Sequence, residues 1–286
     1  MPIRLIHLSD LHVGGPEGEP VEPALQGLVA RLDPQLVVAT GDLTHRGRTA
    51  QHERAAAFLH ALGPPVLAVP GNHDIPHALP ARFTRPWAEF ERHWMTTEPV
   101  FDSDGLRVVG LNSARPWRHQ SGGLGGEALE RAAARLGEAR PGAFRVVCLH
   151  HHLTGAPWRS RKRPVSRRAH VLDSLSAAGA EVILSGHIHQ SAASERREFE
   201  VGLGPERSVV VAIAPGLGRP RPKRGGEARG LHVIDVDERE ISIETLVFDG
   251  SAFTPVATRR FPRRPPTLPA GPPVSRDPQA GSDIAA

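Results

Sequence analysis

Apolar residues recur along this chain in two rhythms. Short, mostly apolar runs at Ile3–Leu8, Leu36–Ala39, Val66–Val69, Leu106–Leu111, Arg145–Leu149 and Val182–Leu184 read as buried strands. Between them, Val21–Leu32, Thr49–Leu62, Glu127–Leu136 and His170–Ala178 read as helices, and Gly179 is placed to stop the last one. A strand, a helix and a strand in succession predict a βαβ unit and an α/β domain. After His189 the helices cease. Ser208–Ala214, Leu231–Val236 and Ile241–Phe248 alternate apolar and polar positions, which predicts antiparallel pairing. Within Pro76–Thr97, Trp87, Phe90 and Trp94 are spaced three and four apart, as expected of a short helix packing into the core.

Five of the apolar runs end in the same kind of residue. The runs are followed by Ser9-Asp10-Leu11-His12, Gly41-Asp42, Gly71-Asn72-His73-Asp74, His150-His151-His152 and Gly186-His187-Ile188-His189. In open α/β sheets, ligands gather at the carboxyl ends of strands. Asp, Asn and His at every such end predict a metal site. Carboxylate oxygen combined with imidazole nitrogen suits Mn, Fe or Zn better than Ca. The candidate ligands exceed the needs of one ion, and two ions sharing a carboxylate account for the excess. Three consecutive histidines leave the register open between His150 and His151; His150 is preferred because it follows the strand first. His7 reads as structural and His45 as a loop or rim residue. Asp74 is expected to orient His73, as carboxylates do for site histidines.

Composition narrows the setting. The 286 residues are 39% hydrophobic and 23% charged, which fits a globular protein. The single Cys148 excludes a disulfide framework and lies in an apolar run, where it reads as a small buried hydrophobe. Leu5-Ile6-His7-Leu8 is too short for a signal peptide, and no run approaches the ~20 residues of a membrane helix, so a soluble, cytoplasmic protein is expected. Net charge is only +4, but it is uneven. Arg159, Arg161, Lys162, Arg163, Arg167 and Arg168 form one basic run, and Arg219, Arg221, Lys223 and Arg224 a second. The first follows the three histidines and is expected near the site mouth, where it would attract an anionic substrate. The loop Ala114–Gly123 is expected to reach over the site, with Asn72, His73 and Arg115 contacting substrate. From Pro262 onward large apolar residues nearly vanish, so residues 1–261 are taken as the domain and 262–286 as a disordered tail.

The blocks Asp10-x-His12, Gly41-Asp42, Gly71-Asn72-His73-Asp74, His150 and Gly186-His187-x-His189 closely resemble the calcineurin-like metallophosphoesterase superfamily, in full and in order. The wider wording (Leu8-Ser9-Asp10-Leu11-His12, Gly41-Asp42-Leu43-Thr44, Gly186-His187-Ile188-His189-Gln190) looks most like its bacterial class III cyclic nucleotide phosphodiesterases. Leu153 departs from the Pro usual there. The resemblance implies a four-layer α/β/β/α sandwich of two mixed sheets flanked by helices. It implies two divalent or trivalent ions, one held by Asp10, His12 and His189, the other by Asn72, His150 and His187, with Asp42 bridging both. A bridging hydroxide would attack a phosphodiester, with a 3',5'-cyclic nucleotide the leading candidate, and His73 would assist the leaving oxygen.

Other readings stay open. A nucleotide-linked lipid pyrophosphate or another phosphoester at a membrane surface would also suit the basic loops. A nuclease is disfavoured, since no basic-and-aromatic strand pattern is present, and no stable nucleic-acid complex is expected. A non-catalytic scaffold on the same fold would require missing ligand positions, and none is missing. The β-rich stretch after His189 can complete a sheet or form a dimer edge.

Overall fold

A computed structural model describes residues 2–16, 20–118, 120–158, 160, 162–200, 208–221 and 225–265. In chain order the elements are β1 (Ile3–Leu8), α1 (Glu22–Leu32), β2 (Leu36–Ala39), α2 (Thr49–His60), β3 (Val66–Ala68), α3 (Ala81–Thr84), α4 (Ala88–Trp94), β4 (Val100–Ser103), β5 (Leu106–Leu111) and α5 (Gly126–Gly137). They continue with β6 (Phe144–Leu149), α6 (Arg168–Ala177), β7 (Val182–Ser185), β8 (Ala192–Glu195), β9 (Val210–Ile213), β10 (Gly230–Val236), β11 (Glu240–Phe248) and β12 (Phe253–Pro262).

Apolar residues on both faces of a strand demand cover on both sides. The chain provides it with two mixed sheets stacked face to face. One has the order β12-β11-β10-β1-β2-β3, the other β4-β5-β6-β7-β9-β8. Leu5, Val38 and Leu67 from the first sheet meet Val108, Val146, Cys148 and Leu184 from the second in an inner core. Outside the first sheet, Ile6, Val37 and Ala39 pack on Leu25, Leu28 and Val29 of α1 and Ala55 and Leu59 of α2. Outside the second, Val109, Val147 and Ile183 pack on Leu129, Ala132 and Leu136 of α5 and Leu172 and Leu175 of α6. The result is the expected four-layer sandwich. Helix α1 begins with Pro at its first turn and ends at Asp33, whose left-handed backbone (φ 46°) breaks the helix.

Several expectations need correction. Strand β9 pairs parallel to β7 and antiparallel to β8, so it joins the second sheet rather than the antiparallel set formed by β10, β11 and β12. Its residues are buried on both faces, which an alternating strand of a solvated sheet would not be. The short strands β4 and β8 and the edge strand β12 are additions to the expected elements. Strand β12 runs through Pro262, and Arg263 beyond it reaches the buried Glu181, Nε to Oε2 3.0 Å. Order therefore continues past the expected domain end, while 266–286 lie outside the described residues. Phe90 is fully buried and packs near Trp94, whereas Trp87 stands half-buried just before α4. Cys148 is fully buried, and burial pushes its thiol up. Among the described residues, no helix is long and apolar enough to cross a membrane.

Candidate metal centre

Strands β1, β2, β3, β6 and β7 all deliver their carboxyl ends to one place. The segments that follow them bend sharply. Asp10, His12, Asp42, His187 and His189 have φ values of 54°, 51°, 52°, 73° and 59°, left-handed backbone that costs of order 1–3 kcal/mol per non-glycine residue. Asp and His tolerate this region better than most residues. In each of the pairs Asp10/His12 and His187/His189, two left-handed residues flank a buried apolar one, Leu11 or Ile188. The two polar side chains of each pair thereby turn inward. Backbone bonds hold the bends: the Asp10 N–H donates to Gly41 O and the His12 N–H to Asp42 O, each at 2.9 Å.

Two sets of inward-facing atoms result. In the first, Nε2 of His189 lies 3.0 Å from Oδ1 of Asp10 and 3.1 Å from Nε2 of His12, which is itself 3.8 Å from Oδ2 of Asp42. In the second, Nε2 of His150 lies 3.3 Å from Oδ1 of Asp42 and 3.1 Å from Nδ1 of His187. Asp42 thus faces both sets. The far nitrogens of the second set are committed to carbonyls: Nδ1 of His150 donates to Thr40 O at 2.7 Å and Nε2 of His187 to Gln120 O at 3.2 Å. In the neutral rings their inward nitrogens are then lone pairs facing each other.

The oxygen atoms tell the same story. Asp10 Oδ1, Asp42 Oδ2 and Asn72 Oδ1 are buried without a hydrogen-bond donor. Buried acceptors normally find one. Burial favours neutral carboxyls, yet His189 and His12 hold Asp10, and His150 and His73 hold Asp42, well below the usual carboxylate range. Burial of His150 is outweighed by Asp42, which raises its pKa. Burial pushes His12 down to about 4. Undonated carboxylate oxygens facing imidazole lone pairs fit divalent cations well. Asp10, His12 and His189, and likewise Asp10, Asp42 and His150, each bring their ligand atoms within 4.8 Å of one another.

The histidines of the run differ in what they bond to. His151 spends Nδ1 on Ser113 Oγ at 2.9 Å, and its Nε2 is buried without a partner. It joins His150 and His187 in a third convergent group, but only His150 also touches Asp42. His7 lies outside both sets, its Nε2 3.0 Å from Thr40 Oγ1.

Two expectations fail. Asp74 does not orient the His73 ring. It is fully buried and accepts from the N–H groups of Leu43 (3.2 Å), Thr44 (2.8 Å) and Gly71 (2.8 Å), so it ties the Asp42 turn to the Asn72 turn. The His73 ring is set instead by Nδ1 donating to the His45 carbonyl at 2.7 Å. Arg115 does not reach the site: its guanidinium donates to the carbonyls of Asn112 (2.9 Å) and Ala114 (2.7 Å), closing its own loop.

A cleft of about 740 Å³ opens beside the first set. His12, His73 and His189 form its floor, Leu11, Val13, Val21, Phe58 and Leu217 an apolar wall. From the second basic run Arg219 and Arg221 line the cleft, Arg221 paired to Glu227 at 2.5 Å; from the first, among the described residues, only Lys162 does, while Arg163, Arg167 and Arg168 lie away from it. Four other members of the two runs, Arg159, Arg161, Lys223 and Arg224, lie outside the described residues. In the sequence Lys162 is one basic residue among six in its run, and only its burial singles it out.

Comparison with known proteins agrees with this geometry. A probable cyclic nucleotide phosphodiesterase of Synechococcus sp. is 31% identical over 159 residues, 53% of this chain and 58% of that protein. A 3',5'-cyclic adenosine monophosphate phosphodiesterase of Haemophilus influenzae is 28% identical over 182 residues, 61% of each chain. The chain thus spans about three-fifths of the length of these curated relatives. Among solved structures, a purple acid phosphatase from yellow lupin seeds superposes with a TM-score of 0.67 at 13% identity, over 92% of this chain and 54% of that one. That likeness shows the fold, and the model of the calcineurin-like phosphoesterases matches residues 3–191: the chain belongs to the calcineurin-like phosphoesterase family.

Proposed function

We propose that the protein is a phosphodiesterase with two divalent metal ions, one held by Asp10, His12 and His189, the other by Asn72, His150 and His187, with Asp42 shared between them. The observation that carries this reading is the position of Asp42, whose two oxygens face His150 (3.3 Å) and His12 (3.8 Å) from opposite ligand sets. Ions bound there supply Lewis acidity and lower the pKa of water toward neutrality.

The chain's own residues do the rest. Asp42 and Asp10 stay ionised and hold the ligand sets in register. His73, fixed by its Nδ1 bond to His45, presents Nε2 at the cleft floor, where its protonated form donates to the leaving ester oxygen. Asn72 closes the second set and contacts the ester. A 3',5'-cyclic nucleotide is the first substrate to try, since the Haemophilus relative is a cyclic adenosine monophosphate phosphodiesterase. The apolar wall of Leu11, Val13, Val21, Phe58 and Leu217 favours a second reading, an ester carrying a lipid-like group such as a nucleotide-linked lipid pyrophosphate.

The test is hydrolysis of bis-p-nitrophenyl phosphate and p-nitrophenyl phosphate with Mn or with chelator, beside Asp42→Ala. Metal-dependent release favouring the diester, and lost in the variant, supports the reading. No release from the diester by protein verified to hold two ions overturns it. A panel of cyclic nucleotides and an acylated nucleotide pyrophosphate then separates the two substrates.

A further inference from the structure

Lys162 stands apart from the other basic residues at the cleft. It is only 9% exposed, and among the described residues no carboxylate pairs with its ammonium and no side-chain hydrogen bond satisfies it. Its stem is buried while the ammonium itself opens onto the cleft, where an anion can reach it. It lines the same cleft as His12, His73 and His189.

Its position is built, not incidental. The next residue, Arg163, donates its N–H to the carbonyl of Gln120 at 3.2 Å. That same carbonyl accepts from Nε2 of His187 at 3.2 Å. Val165 and Ser166 extend the attachment, donating to His152 O and Gly122 O, each at 3.0 Å. The backbone carrying Lys162 is thereby locked to the group that orients a ligand imidazole. The Lys162 N–H also donates to Ser160 Oγ at 3.1 Å.

We propose that Lys162 is a phosphoryl-binding residue whose ammonium holds an anionic oxygen of the phosphoester at the cleft floor. This rests on the phosphoesterase reading of the same site. Asp10, Asp42 and Glu227 are the nearby anions; the first two belong to the ligand sets and Glu227 is taken by Arg221, so none is free to neutralise Lys162. An arriving phosphate is. The compact ammonium can donate to a phosphate oxygen from several directions, which suits a substrate that changes geometry as it reacts. A phosphate dianion, as in the phosphomonoester that diester hydrolysis releases, gains more from this cation than a diester monoanion does.

The experiment compares wild-type protein with Lys162→Met and Lys162→Arg, each loaded with Mn and assayed for metal content. Calorimetric titration with inorganic phosphate is the primary readout. The expected result is unchanged metal content in all three, phosphate affinity weakened about 10-fold or more in Lys162→Met, and most of it restored in Lys162→Arg. On bis-p-nitrophenyl phosphate, KM should rise more than kcat falls. Full phosphate affinity in a metal-replete Lys162→Met protein overturns the proposal. So does loss of metal in that variant, which would make Lys162 a support of the ligand loop. If Lys162→Met fails to fold, Lys162→Gln takes its place in the same titration. Should wild type hydrolyse neither ester, the phosphodiesterase reading fails, while the phosphate titration still decides the role of Lys162.

Discussion

His73 is aimed by His45. The Nδ1–H of His73 donates to the carbonyl oxygen of His45 at 2.7 Å, which leaves Nε2 as the nitrogen at the cleft floor. The ring therefore has one side for the backbone and one for chemistry. Its backbone N–H donates to Asp42 Oδ1 at 2.8 Å, so the same residue also holds the Asp42 carboxylate in place. Replacing the ring while keeping the backbone separates these roles. His73→Ala should keep its metal content and lose about 10²–10⁴-fold in kcat on esters with poor leaving groups. Assays across p-nitrophenyl and alkyl esters check this, the defect shrinking as the leaving group improves. Equal loss on every ester would remove His73 from leaving-group protonation.

Gly71 sets how closely the Asn72 turn can approach Asp42. A Cβ at Gly71 would lie 2.2 Å from Asp42 Oδ1 and 2.3 Å from its backbone N, both rigidly held. Gly71→Ala must therefore push the Asp42 carboxylate away from His150 or His12. The expected outcome is a protein that folds but binds metal about 10–100-fold more weakly, a loss typical of disturbed ligand support. Metal titration by calorimetry or competition with a chromogenic chelator gives the answer. Normal metal affinity in Gly71→Ala would mean that Asp42 tolerates displacement and is not the shared ligand.

How far the sequence exposes this site depends on what each residue bonds to. Asp10, His12, Asp42, Asn72, His150, His187 and His189 stand out in the sequence as ligand-type side chains at strand ends, and the fold brings the Asp and His members into convergent groups. The helices and long strands are legible from their apolar spacing. Strand β12, with Thr254, Thr258, Arg259 and Arg260 along an exposed edge, carries no such pattern, and β4 and β8 are only four residues each. Asp74 and Arg115 mislead for one reason: both bond to backbone groups, and nothing in a side-chain sequence marks those. The left-handed turns at Asp10, His12, His187 and His189 are equally invisible, although they explain why the one-residue spacing works.

His150 and His151 sit next to each other with their rings nearly perpendicular, at 82°, and their centroids 4.9 Å apart. Their partners divide the labour. His150 bonds Thr40 O on one side and faces Asp42 on the other, whereas His151 bonds Ser113 Oγ. His150→Ala should lose one of two bound ions together with most activity. His151→Ala should retain both ions and change activity far less. Metal analysis after gel filtration measures this directly, and the opposite pattern would move the ligand by one residue.

Acid should weaken the fold through a buried histidine outside the two sets. His232 is fully buried on β10, its Nε2 2.9 Å from Ser191 Oγ and its Nδ1 without a partner. Burial pushes its pKa down to about 4. In the unfolded chain it titrates near ~6.5. Between those values the unfolded chain takes up a proton that the folded chain refuses, so stability is fully present above pH ~6.5 and falls as pH drops toward 4. Over the whole window the loss from this one group is on the order of 3 kcal/mol. In His232→Asn that loss is removed, while the titration of all other groups is largely common to both proteins. Urea unfolding of both in chelator, at steps from pH ~7 to ~4.5, should show the wild type losing stability more steeply than the variant. Parallel curves would place the acid sensitivity in other groups, and the ring of His7, 5.6 Å away in an edge-on contact, would be the next to replace.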